Sequence, residues 1–241
     1  MASEHSGRVT ELITIPAAGD MLQETVTELF NTLNHSTIPK LLGDNRESCG
    51  LHVHVDASDF QLIHMKNALG IVMAWDQELW DYSSSLTNRM GSRYCQNIKN
   101  HPQLNYLLST TSIPKLMTYW RNGGDVDQDH TPEHRYWNLN IDSWLRIKTF
   151  EFRTHEATDD PDRTLAWILL CIGIMEYARQ APSQTYRQFT TRARKLSIAD
   201  LVVIDDNKVL GLNGDFLDRP GEIVPPITTF IQEPITLEKS A

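Results

Sequence analysis

Cysteine is scarce in this 241-residue chain. Cys49, Cys95 and Cys171 are widely scattered and form no Cys-x-x-Cys. An odd, dispersed set excludes a disulfide framework and a zinc site built from thiolates, and it fits a reducing compartment. Positive charge is scarce too, with 22 Lys and Arg against 31 Asp and Glu, a net charge of −9 and a pI near 5.4. A nucleic-acid surface needs a basic stripe, so that partner class is excluded. Long apolar runs are missing: the longest, Trp167 to Met175, has nine residues, against the roughly 20 that span a bilayer. The polar start, Met1 to Gly7, does not read as an export signal. A cytoplasmic protein without a membrane partner is expected. The glycine signatures of nucleotide loops and nucleophile elbows are absent as well, so any use of ATP does not go through a P-loop.

What is there is 40% hydrophobic sequence, enough for one full core, and a single domain over residues 1–241 is expected. The chain is organised around Cys49-Gly-Leu-His-Val-His-Val-Asp56. Its period of two is that of a β-strand, with Cys49, Leu51, Val53 and Val55 on one face and Gly50, His52, His54 and Asp56 on the other. Two imidazoles two residues apart on one strand face lie roughly 7 Å from each other, close enough to serve one metal or metal–phosphate cluster. The plainer alternative is an edge strand whose polar face meets water.

Upstream, 8–15 alternates in a strand-like way and carries Glu11, which is either solvent-facing or a metal ligand offered from a neighbouring strand. Asp20 opens a helix bearing Leu22, Val26, Leu29, Phe30 and Leu33 at helical spacing. After the His strand, Ser58 and Gln61 form a capping-box pattern before one long helix over 60–80. Ser83 to Cys95 is a polar turn carrying Arg89 and Arg93, and a further helix covers Ile113 to Trp120. The acidic segment 123–130 is either a lid or a surface loop.

Arg135-Tyr-Trp-Asn-Leu-Asn140 precedes Thr149-Phe-Glu-Phe-Arg-Thr154, a second two-faced strand. Phe150, Phe152 and Thr154 point inward; Glu151, Arg153 and His155 share the other side, as a salt-bridge pattern or as the floor of a site. Asp160-Pro161 starts a helix that is apolar nearly all round from Leu165 to Ala178, which makes Cys171 a core residue. A polar helix over 184–195, a short strand over 201–204 and a Pro-rich tail complete the C-terminal extension, 181–241.

Three of these segments together, 49–56, 135–140 and Thr149-Phe-Glu-Phe-Arg-Thr-His-Glu-Ala-Thr158, resemble in order and spacing the motifs of the amidoligase family, a branch of the glutamine-synthetase-like carboxylate–amine ligases. The resemblance runs over 9–177. It implies an α+β fold with a curved, largely antiparallel sheet backed by helices, as in the glutamine synthetase catalytic domain, with strands 8–15, 49–56 and 148–155 in one sheet. It implies Mg2+ or Mn2+ bound by Glu11, His52 and Glu151, with His54, Arg135 and Arg153 contacting phosphate, and His54 and Arg153 taking part in catalysis. The implied reaction is ATP-dependent amide-bond formation through an acyl phosphate, on small-molecule or peptide carboxylates and amines. Related enzymes often complete their sites between subunits, so a homo-oligomer fits the resemblance. Family members begin with a Gly-x-Glu-x-Glu-like hairpin, and nothing resembling it precedes Val9, which implies a shortened form or a reduced metal site.

Two other readings stay open. His52-Val-His54-Val-Asp56 also resembles the His-x-His-x-Asp-His of metallo-hydrolases, although Ala57 stands where the final His belongs. A non-catalytic descendant that binds a peptide or protein is the other.

Overall fold

A computed structural model describes residues 3–4, 9–10, 12–35, 50–84, 89, 92–122, 133–194, 196–198, 203–205 and 208–211. The chain divides into two units, Met1–Leu41 and Leu42–Ala241. Glu11, the acidic 123–130 segment and the Pro-rich tail lie outside the described residues.

In the first unit, β1 (Ser3–Glu4) pairs antiparallel with β2 (Val9–Thr10). Helix α1 (Asp20–His35) follows, with Val26 and Phe30 buried. Among the described residues, the strand expected over 8–15 is present at Val9–Thr10, and it pairs in a two-stranded sheet separate from that of the His strand. Residues 12–18 have no regular structure, and Leu12, Ile13 and Ile15 are exposed. The physical reason is visible in the spacing: the apolar residues fall at both odd and even positions, so no single strand face collects them.

The second unit is α+β around a small sheet. In chain order it contains β3 (Val53–Asp56), α2 (Leu62–Ala74), α3 (Asp76–Ser83), α4 (Leu104–Ser109), α5 (Ile113–Arg121), β4 (Leu139–Asn140), α6 (Ser143–Ile147), β5 (Thr149–Phe152), α7 (Pro161–Gln180), α8 (Tyr186–Ala193), β6 (Val203–Asp205) and β7 (Lys208–Gly211). Strands β3, β5 and β4 form an antiparallel sheet with β5 in the middle, and β6 pairs with β7.

One face of the sheet is core. Val53, Phe150, Phe152 and Leu139 are buried there, as the two-residue alternation requires. Phe60, just before α2, meets Phe150 edge-on at 5.5 Å, and Trp167 of α7 meets Phe152 edge-on at 6.4 Å. Helix α7 forms because Asp160 accepts hydrogen bonds from the N–H groups of Asp162 and Arg163 while Pro161 occupies the first turn. Its buried residues lie on several sides, which a helix between two layers demands.

The single helix expected over 60–80 is two. The backbone leaves the helical region at Trp75, whose indole N–H donates to the Leu196 carbonyl at 3.0 Å. Next to it the Asp76 carboxylate accepts from Asn97 and Asn138, so tertiary hydrogen bonds hold a break that has no local breaker residue. The capping box is also displaced. Gln61 is the cap and its N–H donates to Nδ1 of His64, whereas Ser58 is caught in a turn by Asp56. No helix among the described residues is long and apolar enough to cross a membrane.

Candidate functional site

The other face of the same sheet is polar, and its register brings the sequence-selected groups together. His54 lies directly opposite Glu151, and Glu151 lies opposite Asn140 on the far side. The three side chains form one row across the sheet. In the next row the ladder changes: from Val53↔Phe152 to Gly50↔Glu156 the chain advances three residues on one side and four on the other. The extra residue is a bulge, a device that re-aims side chains beside functional sites. Arg153 keeps to the polar side. His155, expected beside it, instead packs against Trp167 at 5.3 Å and is wholly buried. The bulge reverses the alternation after Arg153, which a strict period of two cannot foresee.

Glu151 is the centre of the cluster. Its Oε1 accepts from Arg153 Nη1 at 2.5 Å and lies 3.1 Å from His52 Nδ1, with His54 Nε2 at 3.9 Å. Its Oε2 accepts from Asn140 Nδ2 at 2.7 Å. Burial alone would raise the pKa of this carboxyl. The hydrogen bond from His52 and the charge of Arg153 outweigh that and hold it well below the usual carboxylate range. Burial pushes the His52 imidazole below its ordinary value, and Arg153 adds to this against the hydrogen bond to Glu151. His54 is the exposed member, and its Nδ1 is 2.9 Å from Thr149 Oγ1.

Arg153 is gripped at two points: Nη1 by Glu151, and Nε by the Tyr94 carbonyl at 3.2 Å. The Tyr136 ring lies 5.8 Å from the guanidinium. Among the described residues its Nη2 donates to nothing, so the planar fork has one nitrogen in reserve for an oxyanion. Arg135 sits half-buried on a short 3-10 turn, Glu133–Arg135, and no hydrogen bond or ion pair joins it to the cluster among the described residues. Asp56, at the end of the His strand, spends its carboxylate on the N–H and hydroxyl of Ser58, both at 3.1 Å.

Arg89 belongs here although the sequence left it in a turn. It is buried, its Nε donates to the Arg153 carbonyl at 3.2 Å, and its Nη2 is 3.4 Å from His52 Nε2. The signal that could have found it is Gly50. A Cβ there would run into the Arg89 guanidinium, and a glycine inside a strand pattern marks such close approaches.

No group of three or more His, Cys, Asp or Glu side chains converges as a metal site among the described residues. Oε1 of Glu151 is already occupied by a guanidinium, whose charge repels a cation. Among the described residues His52 and Glu151 are engaged with each other and with Arg153, and Glu11, the third ligand expected with them, lies outside the described residues. One guanidinium, that of Arg153, engages the Glu151 carboxylate, and a second, that of Arg89, meets His52 and the Arg153 carbonyl; an arginine fork matches phosphate or carboxylate oxygens.

A family model described as "Putative amidoligase enzyme" matches residues 9–175. No curated protein and no solved structure matches the chain.

Proposed function

Because the chain belongs to the putative amidoligase family, we propose that the polar sheet face joins a carboxylate to an amine at the expense of ATP. The substrate carboxylate oxygen attacks the γ-phosphorus and ADP leaves. The amine nitrogen then attacks the acyl carbon, phosphate leaves with the bonding pair, and the nitrogen loses a proton to give the amide. The glutamine-synthetase-like architecture and the acyl phosphate come from the resemblance carried by 49–56, 135–140 and 149–158. Mg2+ or Mn2+ would arrive with the nucleotide, chelated by its phosphates.

The chain's own contribution is positioning and charge neutralisation, the two things that phosphoryl transfer asks of a protein. Arg153, fixed through Nε and Nη1, would turn Nη2 to the transferring phosphoryl group. His54, the exposed imidazole, would donate to a phosphate oxygen, and Arg135 would neutralise charge farther along the nucleotide. Glu151 and Asn140 would keep the Arg153 fork in its plane. The single observation that supports this reading most is the Arg153 fork, held at two nitrogens while Nη2 donates to nothing among the described residues.

A screen of ADP release against pooled carboxylic acids and amines tests the proposal. ADP release that requires both an acid and an amine is the expected result. Release that needs neither, or no release with any pool, would contradict it. Formation of a hydroxamate when hydroxylamine replaces the amine would mark the acyl phosphate.

A further inference from the structure

Arg89 carries an inference that does not depend on the ligase reading. A guanidinium can only donate hydrogen bonds. Its Nη2 stands 3.4 Å from His52 Nε2, so that nitrogen presents its lone pair. A neutral imidazole carries one proton, which must then sit on Nδ1, 3.1 Å from the Glu151 carboxylate that accepts it. An imidazolium would set an N–H against the guanidinium, donor against donor and charge against charge. Histidine free in water favours the opposite tautomer, with the proton on Nε2, so the protein has to impose this one.

We propose that Arg89 is a positioning residue that locks His52 in the Nδ1–H tautomer, fixing Glu151 against Arg153 and withholding the His52 lone pair from a metal ion. Two features build the lock. The bulge after Phe152 takes the Arg153 carbonyl out of the regular ladder, and that carbonyl accepts from both Arg89 Nε and the Cys95 thiol. Arg89 thereby ties the backbone of one strand to the side chain of the other. Gly50 leaves the space through which the guanidinium reaches His52. The donors then converge on one oxygen: Arg89 donates to His52 Nε2, His52 Nδ1–H to Glu151 Oε1, and Arg153 to that same oxygen from the other side. Every proton in it is assigned by the donor-only character of the two arginines at its ends.

The resemblance gives His52 to a metal ion, whereas this arrangement makes it a spacer in an anion cradle. The test is nitrogen NMR on protein labelled in its imidazole rings, with His52 assigned by its loss in His52→Gln. In the wild type at pH 7.5, without nucleotide or metal, His52 is expected to show a protonated Nδ1 and an unprotonated Nε2. In Gly50→Ala the added Cβ claims the guanidinium's place. The obstructing atoms are the end of a flexible side chain, so the fold is expected to survive, as the melting temperature will show, and His52 should shift toward the Nε2–H form. Arg89→Met should do the same; if it fails to fold, Gly50→Ala decides alone. A wild-type His52 in the Nε2–H form or doubly protonated overturns the proposal, as does a folded Gly50→Ala with the wild-type pattern. No substrate enters the experiment, so its failure leaves the ligase reading standing, and an inactive protein in the ADP screen leaves this one standing.

Discussion

Strand β5 places two kinds of chemistry one residue apart. Phe150 and Phe152 point into the core, where aromatic side chains from just before α2 and from α7 close around them. Glu151 and the following Arg153 point the other way, into a cluster whose members are held by hydrogen bonds and charge. Both faces are buried at β5, so burial does not separate structure from function here. The difference lies in spare capacity. The phenylalanines have their apolar surface covered by neighbours, whereas Arg153 keeps a donor unused among the described residues and His54 opens to solvent. A second buried carboxylate sharpens the point. Asp76 accepts from Asn97 and Asn138, and Lys99 lies 3.5 Å away. Its amide partners belong to the loop before β4 and to the segment before α4, so it ties elements together and offers little to a ligand.

The largest effect should come from the apolar face. Phe152→Ala removes a buried ring beside Trp167 and should cost about 3–5 kcal/mol of folding free energy, read as a lower denaturant midpoint at unchanged slope. A loss below about 1 kcal/mol would mean that this face is not the core it is taken to be.

A pH dependence of the opposite face's neighbour comes next. Burial, helped by the charge of Arg163, lowers the His155 pKa from 6.5 to about 4, despite its hydrogen bond to the Glu156 carbonyl. A depressed folded value means that the neutral form is the one the fold favours. This contribution is complete above about pH 6.5 and is lost as the pH falls toward 4, amounting to about 3 kcal/mol in full. Burial depresses His101 in the same sense. Urea unfolding at pH 7 and pH 5 checks the sign: stability must be lower at pH 5, and His155→Phe must flatten the difference. A slope that survives in His155→Phe would assign it elsewhere.

Arg153→Lys is expected to leave the melting temperature close to wild type and to lower ADP-releasing turnover by roughly 100-fold, about 2.7 kcal/mol. Lys supplies a point charge but not the fork that grips Glu151, Tyr94 and a phosphoryl oxygen together. The reverse outcome, a large drop in melting temperature with near-normal turnover, would move Arg153 into the structural class with Asp76.

The smallest effect is predicted at Asp56. Losing its turn with Ser58 in Asp56→Ala should cost about 1 kcal/mol and leave turnover within about twofold, because a residue outside the transition-state contacts changes little in the rate. Abolished turnover in a folded Asp56→Ala would revive a metal-ligand role for this carboxylate.

Sequence pattern carried much of this arrangement and missed the rest for identifiable reasons. The alternation in 51–56 and 149–153 places the correct residues on each sheet face, because a strand's period is fixed by its geometry, whereas Cys49 lies outside the described residues. Asp160-Pro161 marks the start of α7 through local capping chemistry. Failures occur where long-range contacts decide. Trp75 splits a helix through a bond to Leu196, more than a hundred residues away. His155 turns inward at a bulge whose cause is the pairing of Gly50 with Glu156. Leu12, Ile13 and Ile15 have the composition of a strand but pair with no strand among the described residues. Arg89 looks like any arginine in a polar turn, and only Gly50, on a different segment, hints at its neighbour.

The polar face of the sheet is expected to receive a nucleotide. Calorimetric titration of the protein with ATP in the presence of Mg2+ tests it most directly. Saturable binding of one ATP per chain is the predicted result, with affinity nearly unchanged in Arg153→Lys and lost when His54 and Arg135 are both replaced by Ala. A folded wild-type protein that gives no binding heat with Mg-ATP, and no displacement of a fluorescent ATP analogue, would contradict it.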